Sequence, residues 1–349
     1  MTESKQLRLG IIGCGAISEQ GHLPALKALG YKPALLVDVD QQRAQRLAKQ
    51  FRAGAVAPAL KPEHFDAIDA AIVATPPLHH GPVCIDLLRR GKHVLVEKPM
   101  TIAVDEARAV VAAAEQGKAV LGVGYVHRFS HVRQWAHALV KSGRLGQIRR
   151  FDIREGYVYD WPLKSDSMWR RDQAGGGVLI DGGTHIFDTM SWMFGEVASV
   201  DYRDDSYGGV EADCMVELKM RSGATGVIEL SRSRFLRNTI RIEGTAGHVE
   251  FNIVQYNKVV DASPEAMSFE ADGVTPATMP ANIVLPDLFV KQLSLWLKAI
   301  ETGGEPPVTG RDGLTAVELV ARCYAVRRPW ELPWVQPDRQ MPMRETANA

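Results

Sequence analysis

The sequence is poor in cysteine, in surplus charge and in long apolar runs, and each shortage closes off a class of protein. The four cysteines, Cys14, Cys84, Cys214 and Cys323, stand far apart. They have no metal or redox spacing, which excludes a disulfide framework and suits a reducing cytoplasm. Lys+Arg and Asp+Glu both count 41, for a formal net charge of +0. Neither a nucleic acid nor an anionic membrane is therefore expected as the main partner. No apolar run reaches the length of a membrane span, the start (Met1 to Gln6) lacks a signal-peptide pattern, and no internal repeat stands out. What is present is ordinary for a soluble globular chain: 349 residues, 46% apolar and 23% charged, enough for two domains with sizeable cores. Residues 1–125 read as one domain, 126–336 as a second, and 337–349 as a polar tail without periodicity.

In the first part, apolar strands alternate with helices. Leu7–Ile12 reads as a strand, followed at once by Gly13-Cys14-Gly15-Ala16-Ile17-Ser18 and a helix bearing Leu23, Leu26 and Leu29. Strand, glycine turn and helix is the setting a dinucleotide fingerprint needs. The glycines let the backbone approach a pyrophosphate, and the helix start supplies N–H groups and positive dipole. Ser18 holds the third small position, where Gly or Ala is usual. A second strand, Ala34–Val37, ends in Asp38, roughly 20 residues beyond Gly15, where an acid accepts ribose hydroxyls. Asp38 could instead cap the next helix, as could Asp40. Val39 follows, neither Arg, Lys nor Ser, leaving no obvious cation for a 2′-phosphate, so NAD is expected over NADP. Further strands end in Thr75-Pro76-Pro77, Glu97-Lys98-Pro99 and Gly124-Tyr125. The alternation predicts a doubly wound parallel sheet whose carboxyl edge gathers the ligand-binding groups.

After a helix near 132–142 the pattern changes. Strands at 147–159, 197–205, 210–220, 225–231, 239–243 and 248–254 follow one another through turns, which predicts an open, mostly antiparallel sheet. The fold class is thus α/β followed by α+β. Val, Met and Ile on the outer face of such a sheet would offer a surface for pairing copies. A helix over 175–194 interrupts the strands. At about 100° per residue, Leu179, Gly183, Ile186, Met190 and Met193 share one face, and Asp181, His185, Asp188 and Trp192 the other. Asp181 thereby stands one turn from His185, able to orient it or tune its proton affinity. Close approach of another element or a ligand would rationalise Gly182 and Gly183, each costing about 1 kcal/mol within a helix. No HExxH or Cys/His cluster suggests a metal. Two helices, near 286–302 and 313–327, complete the chain.

The ordered set Gly13-x-Gly15, Ala74-Thr75-Pro76-Pro77-x-x-His80, Glu97-Lys98-Pro99, Gly124-Tyr125-x-x-Arg128-Phe129, Trp169-Arg170, Gly175-Gly176-Gly177 and Asp181-x-x-x-His185-x-x-Asp188 resembles the glucose–fructose oxidoreductase/inositol dehydrogenase (Gfo/Idh/MocA) family, from Leu7 to about Arg328. The resemblance implies a Rossmann domain for NAD(P) and a second domain whose open sheet builds homodimers or homotetramers. It implies Lys98, Asp181 and His185 as the catalytic group and a cis Lys98–Pro99 bond. The cofactor is expected against Gly13, Gly15, Ala16, Ile17, Asp38, Val39, Thr75, Pro76, Pro77, His80, Glu97, Lys98 and His127. A carbohydrate-like substrate is expected against Lys98, Arg128, Tyr157, Trp169, Arg170, Asp181 and His185, with Tyr159 and Trp161 as further aromatic candidates. Pro77 replaces the usual Asn, and Tyr125-Val126-His127-Arg128 the commoner Phe-Asn-Arg-Arg. The expected activity is NAD-dependent oxidation of a secondary alcohol on a sugar, cyclitol or nucleotide sugar. In it, a histidine of pKa near 6.5 is the base and Lys98 is a donor to the reacting oxygen. Two alternatives are an NAD-using glycoside-cleaving enzyme and a non-catalytic NAD-responsive binding protein.

Overall fold

The computed structural model describes residues 6–160, 166–281 and 283–330. Its first sheet is built from β1 (Leu9–Ile12), β2 (Leu35–Val37), β3 (Ala55–Ala57), β4 (Ala70–Val73), β5 (His93–Val96) and β6 (Leu121–Val123). The strands lie in the order β3-β2-β1-β4-β5-β6, every pair parallel. Five of these strands follow from the apolar runs. β3 was missed because it is short, lies on the edge and buries only Ala57 of its three residues. The order reverses beside β1, which puts a crevice at the carboxyl ends of β1 and β4, the place where open α/β sheets bind ligands.

The second sheet comprises β7 (Ile148–Gly156), β8 (Val197–Asp204), β9 (Asp213–Met220), β10 (Thr225–Ser231), β11 (Thr239–Gly244), β12 (His248–Asn252), β13 (Val259–Ala262) and β14 (Arg327–Pro329). Its order is β13-β12-β11-β7-β10-β9-β8-β14. Pairing is antiparallel except where β10 meets β7 and β14 meets β8. Alternation along the strands sends Phe151, Ile153, Ile228, Leu230, Ile240 and Ile242 into the core. The other face is not the apolar surface expected. It carries a lattice of ion pairs: Arg154 with Glu229 and Asp152, Arg237 with Asp152, and Arg241 with Glu243, Glu250 and Asp261.

The helix expected over 175–194 divides. Gly175, at φ +83°, closes a short helix Arg171–Ala174. A π-helical turn, Leu179–Gly183, then leads into an α-helix, Thr184–Phe194. The apolar face is as predicted, with Leu179, Ile186, Met190 and Met193 all buried. The polar face is not. Asp188, three residues past His185 in the same α-helix, is buried rather than facing out with Asp181, because Arg128 binds its carboxylate. No helix among the described residues is long and apolar enough to cross a membrane.

Candidate active site

The glycine turn sits where β1 ends. Gly13 has φ +99°, and a Cβ there would stand 2.4 Å from the Ala74 carbonyl oxygen, so only glycine fits. At Gly15 a Cβ would have nothing within 4 Å, which leaves the backbone open to a ligand. Ser18, the departure from the fingerprint, is buried and donates its hydroxyl to the Gly13 carbonyl at 2.6 Å, tying the turn together. Asp38 accepts from the Cys14 N–H and the Asp40 N–H, each at 2.7 Å. Asp40, not Asp38, caps the following helix, accepting from the Arg43 N–H at 3.0 Å. Beyond the exposed Val39, the expectation of no nearby cation needs correction. The first turn of the helix Gln41–Phe51 carries Arg43 back to 3.7 Å from Asp38 and 2.9 Å from Asp40.

At the end of β5, Glu97 meets the His22 Nε2 at 2.8 Å. Burial alone would raise this carboxyl, but the His22 hydrogen bond and charge, with Lys98, hold it below its ordinary value. The Lys98–Pro99 bond is cis. His80, buried, has its ring nitrogens 2.8 Å from the Pro99 and Thr75 carbonyl oxygens, and so pins the ends of β4 and β5 to each other. Lys98 Nζ donates to the Asp181 carboxylate at 2.6 Å and to its carbonyl at 3.1 Å. Arg232 Nη2 donates to the other Asp181 oxygen, also at 2.6 Å. Burial would push Asp181 up. Lys98 and Arg232 outweigh it and hold the carboxyl at about 2, so Asp181 is a permanent anion.

The expectation that Asp181 orients His185 is thereby overturned, because both its oxygens are taken by cations. The His185 ring is held by packing instead, edge-on to His127 at 4.4 Å and to Tyr125 at 5.7 Å between centroids. Its Nδ1 has no partner among the described residues. A pKa near 6.5 is also wrong for this ring. Burial first, then His127, Lys98 and Arg133, drive it well below the usual imidazole range. His127 is lowered in the same way. Both rings are neutral at ordinary pH.

A cavity of about 670 Å³ runs from the glycine turn to the second sheet. Of the expected groups, Ile17, Thr75, Pro77, His80, Glu97, Lys98, His127, Tyr157, Asp181 and His185 face it. Gly13, Gly15, Ala16 and Pro76 do not line it but stand close in the chain to Ile17, Thr75 and Pro77, which do, and Asp38 is tied to the glycine turn through the Cys14 N–H. Arg128 does not face it. Its guanidinium is bound to Asp188, to Asp312 at 3.2 Å and to the Pro307 carbonyl at 2.9 Å, and it is buried. Arg170 pairs at 3.4 Å with Asp172 on the exterior. Trp169 is half exposed and stands edge-on to Tyr159, which does line the cavity. Trp161 and the tail 337–349 lie outside the described residues.

Three charged wall residues carry no sequence motif: Asp160, exposed at the mouth, and the deeper Glu155 and Arg232. Glu155 and Arg232 continue the inward parity of a strand: Phe151, Ile153, Glu155 on β7, and Ile228, Leu230, Arg232 on and just beyond β10. A polar residue closing an alternating apolar series was the available signal. Burial raises the Glu155 carboxyl. Among the described residues, no group of three or more His, Cys, Asp or Glu side chains is arranged to hold a metal.

A glycine turn, a strand-end acid and a largely apolar cavity with a few convergent charged groups, shared with a second sheet, define a dinucleotide-binding oxidoreductase, and the residues at the turn fit the dinucleotide. Comparison with known proteins agrees. The description "Oxidoreductase family, NAD-binding Rossmann fold" of GFO/IDH/MocA proteins matches residues 7–125. The GFO/IDH/MocA C-terminal domain matches residues 133–250. The chain is 26% identical to the 1,5-anhydro-D-fructose reductase of Ensifer adhaerens, over 88% of this chain and 92% of that one. It is 25% identical to the D-xylose 1-dehydrogenase (NADP(+)) 2 of Haloferax volcanii, over 91% and 96%. Its fold overlays that of levoglucosan dehydrogenase, solved with NADH and levoglucosan, at a TM-score of 0.80 and 23% identity, over 92% and 96% of the two chains. The chain belongs to the GFO/IDH/MocA family of oxidoreductases, and it is an enzyme acting on CH–OH groups.

Proposed function

We propose that this enzyme oxidises a secondary alcohol of a sugar, cyclitol or nucleotide sugar, with NAD as its cofactor. The observation that carries the reading is the Lys98–Asp181–Arg232 chain beside the neutral His185 ring, inside one cavity. Bound along the carboxyl edge of the first sheet, the nicotinamide dinucleotide supplies the hydride acceptor. His185, neutral and packed in place, accepts the hydroxyl proton. Lys98 has an ammonium proton to spare beyond the two it gives Asp181, and directs it at the substrate oxygen as negative charge develops there. Asp181 carries no proton. Its work is to hold Lys98 in one place.

The names of relatives support sugars and polyols as the substrate class. NAD is preferred because Asp38 presents a carboxylate where a 2′-phosphate would sit and Arg43 is engaged by Asp40. A kcat/KM ratio favouring NADP would reverse that assignment. The site is built from residues 1–125 and 126–336, read as separate domains, in a cytoplasmic homodimer or homotetramer. Two copies meeting through the second sheet would bury its ion-pair lattice, so added salt should weaken their association in sedimentation equilibrium.

The decisive assay offers sugars, inositols and nucleotide sugars with NAD and follows NADH. On an active substrate, Lys98→Met should lower kcat by ~10²–10³ and His185→Ala by ~10²–10⁴, with NADH affinity kept. Near-normal turnover by both variants would sink the mechanism. Sugar release from a glycoside without net NADH would move the enzyme to the glycoside-cleaving class.

A further inference from the structure

The second-sheet wall of the cavity holds more hydrogen-bond donors than the protein itself satisfies. The Arg232 side chain is only 4% exposed and lines the cavity. Nη2 is engaged with Asp181, but Nε and Nη1 have no partner among the described residues. The rings of Tyr159 and Trp169 lie 4.9 and 5.9 Å from the guanidinium carbon. They are within cation–π reach of the guanidinium and give no hydrogen-bond acceptor to its Nε or Nη1. Behind the cavity wall, Arg133 is 1% exposed, and Nε, Nη1 and Nη2 all lack a partner. Five buried guanidinium nitrogens without an acceptor are costly where they stand, since each forfeits hydration.

Each hydroxyl of a neutral polyol brings an O–H donor along with its acceptor lone pairs, and against a wall of donors that proton needs a partner elsewhere. An anion brings acceptors only. We propose that the substrate carries a carboxylate, as uronic and aldonic acids do, and that Arg232 is the residue that recognises it. Around Arg232 itself, two cations, Lys98 and Arg232, share one ionised carboxylate, Asp181, while burial raises the Glu155 carboxyl and Arg133 adds positive charge from behind. The other acids of the cavity are Glu97, paired with His22 at the cofactor end, and Asp160, exposed at the mouth. The pair of cations suits a monoanion. A phosphate dianion would crowd Asp181 and Glu155 with more charge than one guanidinium answers.

The inference rests on the dehydrogenase reading only in taking this cavity as the substrate site, so its test separates binding from turnover. The probes are D-glucuronate, D-galacturonate and D-gluconate, their neutral partners D-glucose, D-galactose and D-glucitol, and D-glucose 6-phosphate. Calorimetry on the NADH-saturated protein reads binding, and NADH formation from NAD reads turnover. At least one acid should bind ~10-fold or more tightly than its neutral partner. Arg232→Met should bring that ratio to within about threefold with NADH affinity unchanged, and Arg232→Lys should retain part of it. If no acid is favoured over its neutral partner, or glucose 6-phosphate is favoured over every acid, the inference is overturned. Loss of the neutral sugar's binding in step with the acid's in Arg232→Met overturns it too, since Arg232 would then act only through Asp181. Acid-selective binding without any NADH formation would uphold the inference and count instead against the dehydrogenase reading.

Discussion

Arg128 and His185 show how far a side chain's surroundings decide its work. Both were expected at the substrate. Arg128 instead closes a buried network with Asp188 and Asp312, and its guanidinium stacks near the Trp192 ring at 5.2 Å. Burial pushes the Asp188 carboxyl up to about 6 even against Arg128. Desolvation is therefore only partly offset by the pair, and either partner alone would be an uncompensated group in the core. Arg128→Met should lower stability by about 3–5 kcal/mol, seen as a fall in the urea midpoint. A variant of normal stability with a raised KM would return Arg128 to the substrate. Neither outcome was readable from the motif. Residue type and spacing place an arginine beside a conspicuous aromatic, but whether it turns to the cavity depends on Asp312, far along the chain. His185 was legible as a polar group one turn from Asp181. Its neutrality was not, because His127, Lys98 and Arg133 arrive from other elements.

The element that shapes the site most is the π-helical turn Leu179–Gly183. It presents Asp181 and Gly182 to the cavity while Gly183 faces inward, where a Cβ would stand 3.0 Å from the Leu230 side chain. A Cβ on Gly182 would meet nothing within 4 Å. Gly182→Ala should therefore leave the melting temperature unchanged or slightly raised, since alanine favours the helical backbone by about 1 kcal/mol. It should raise KM by crowding the space left for substrate. A large drop in melting temperature would mean that the glycine serves the turn itself. At this scale the sequence was informative wherever a strong period ran unbroken. The five apolar strands of the first sheet, the apolar helix face and the β10 span of 225–231 all lie where the pattern puts them. It failed where a polar residue is buried against a partner distant in sequence, as Asp188 is against Arg128, and where an element was too short to show a period, as at β3 and β14. Glu155 and Arg232 stayed hidden because no motif names them, although the parity of their strands aims both at the core.

Taken whole, the molecule stores proton-linked stability in its histidines. His93, His127, His131, His137 and His185 all lie below the usual imidazole range, burial being the leading cause in each, with His137 at about 4. The unfolded chain takes up protons on these rings from about pH 6.5 downward, and the folded chain does not, so stability must fall as pH falls through that range. Asp188 and Glu155 act in the opposite sense, since the folded state keeps their protons longer, and blunt the slope. The melting temperature should drop between pH 7.5 and 6, and a rise over that interval would contradict the neutral assignment of these rings. The Lys98–Asp181–Arg232 chain has a consequence of another kind, for the time at which the enzyme acquires its site. Its links span 83 and 51 residues, and each requires closure of a long loop before any attraction is felt. Helices and local hairpins can form while the cavity wall is still missing. Competence for substrate is therefore among the last properties a newly made chain gains, and among the first it loses when the two sheets part.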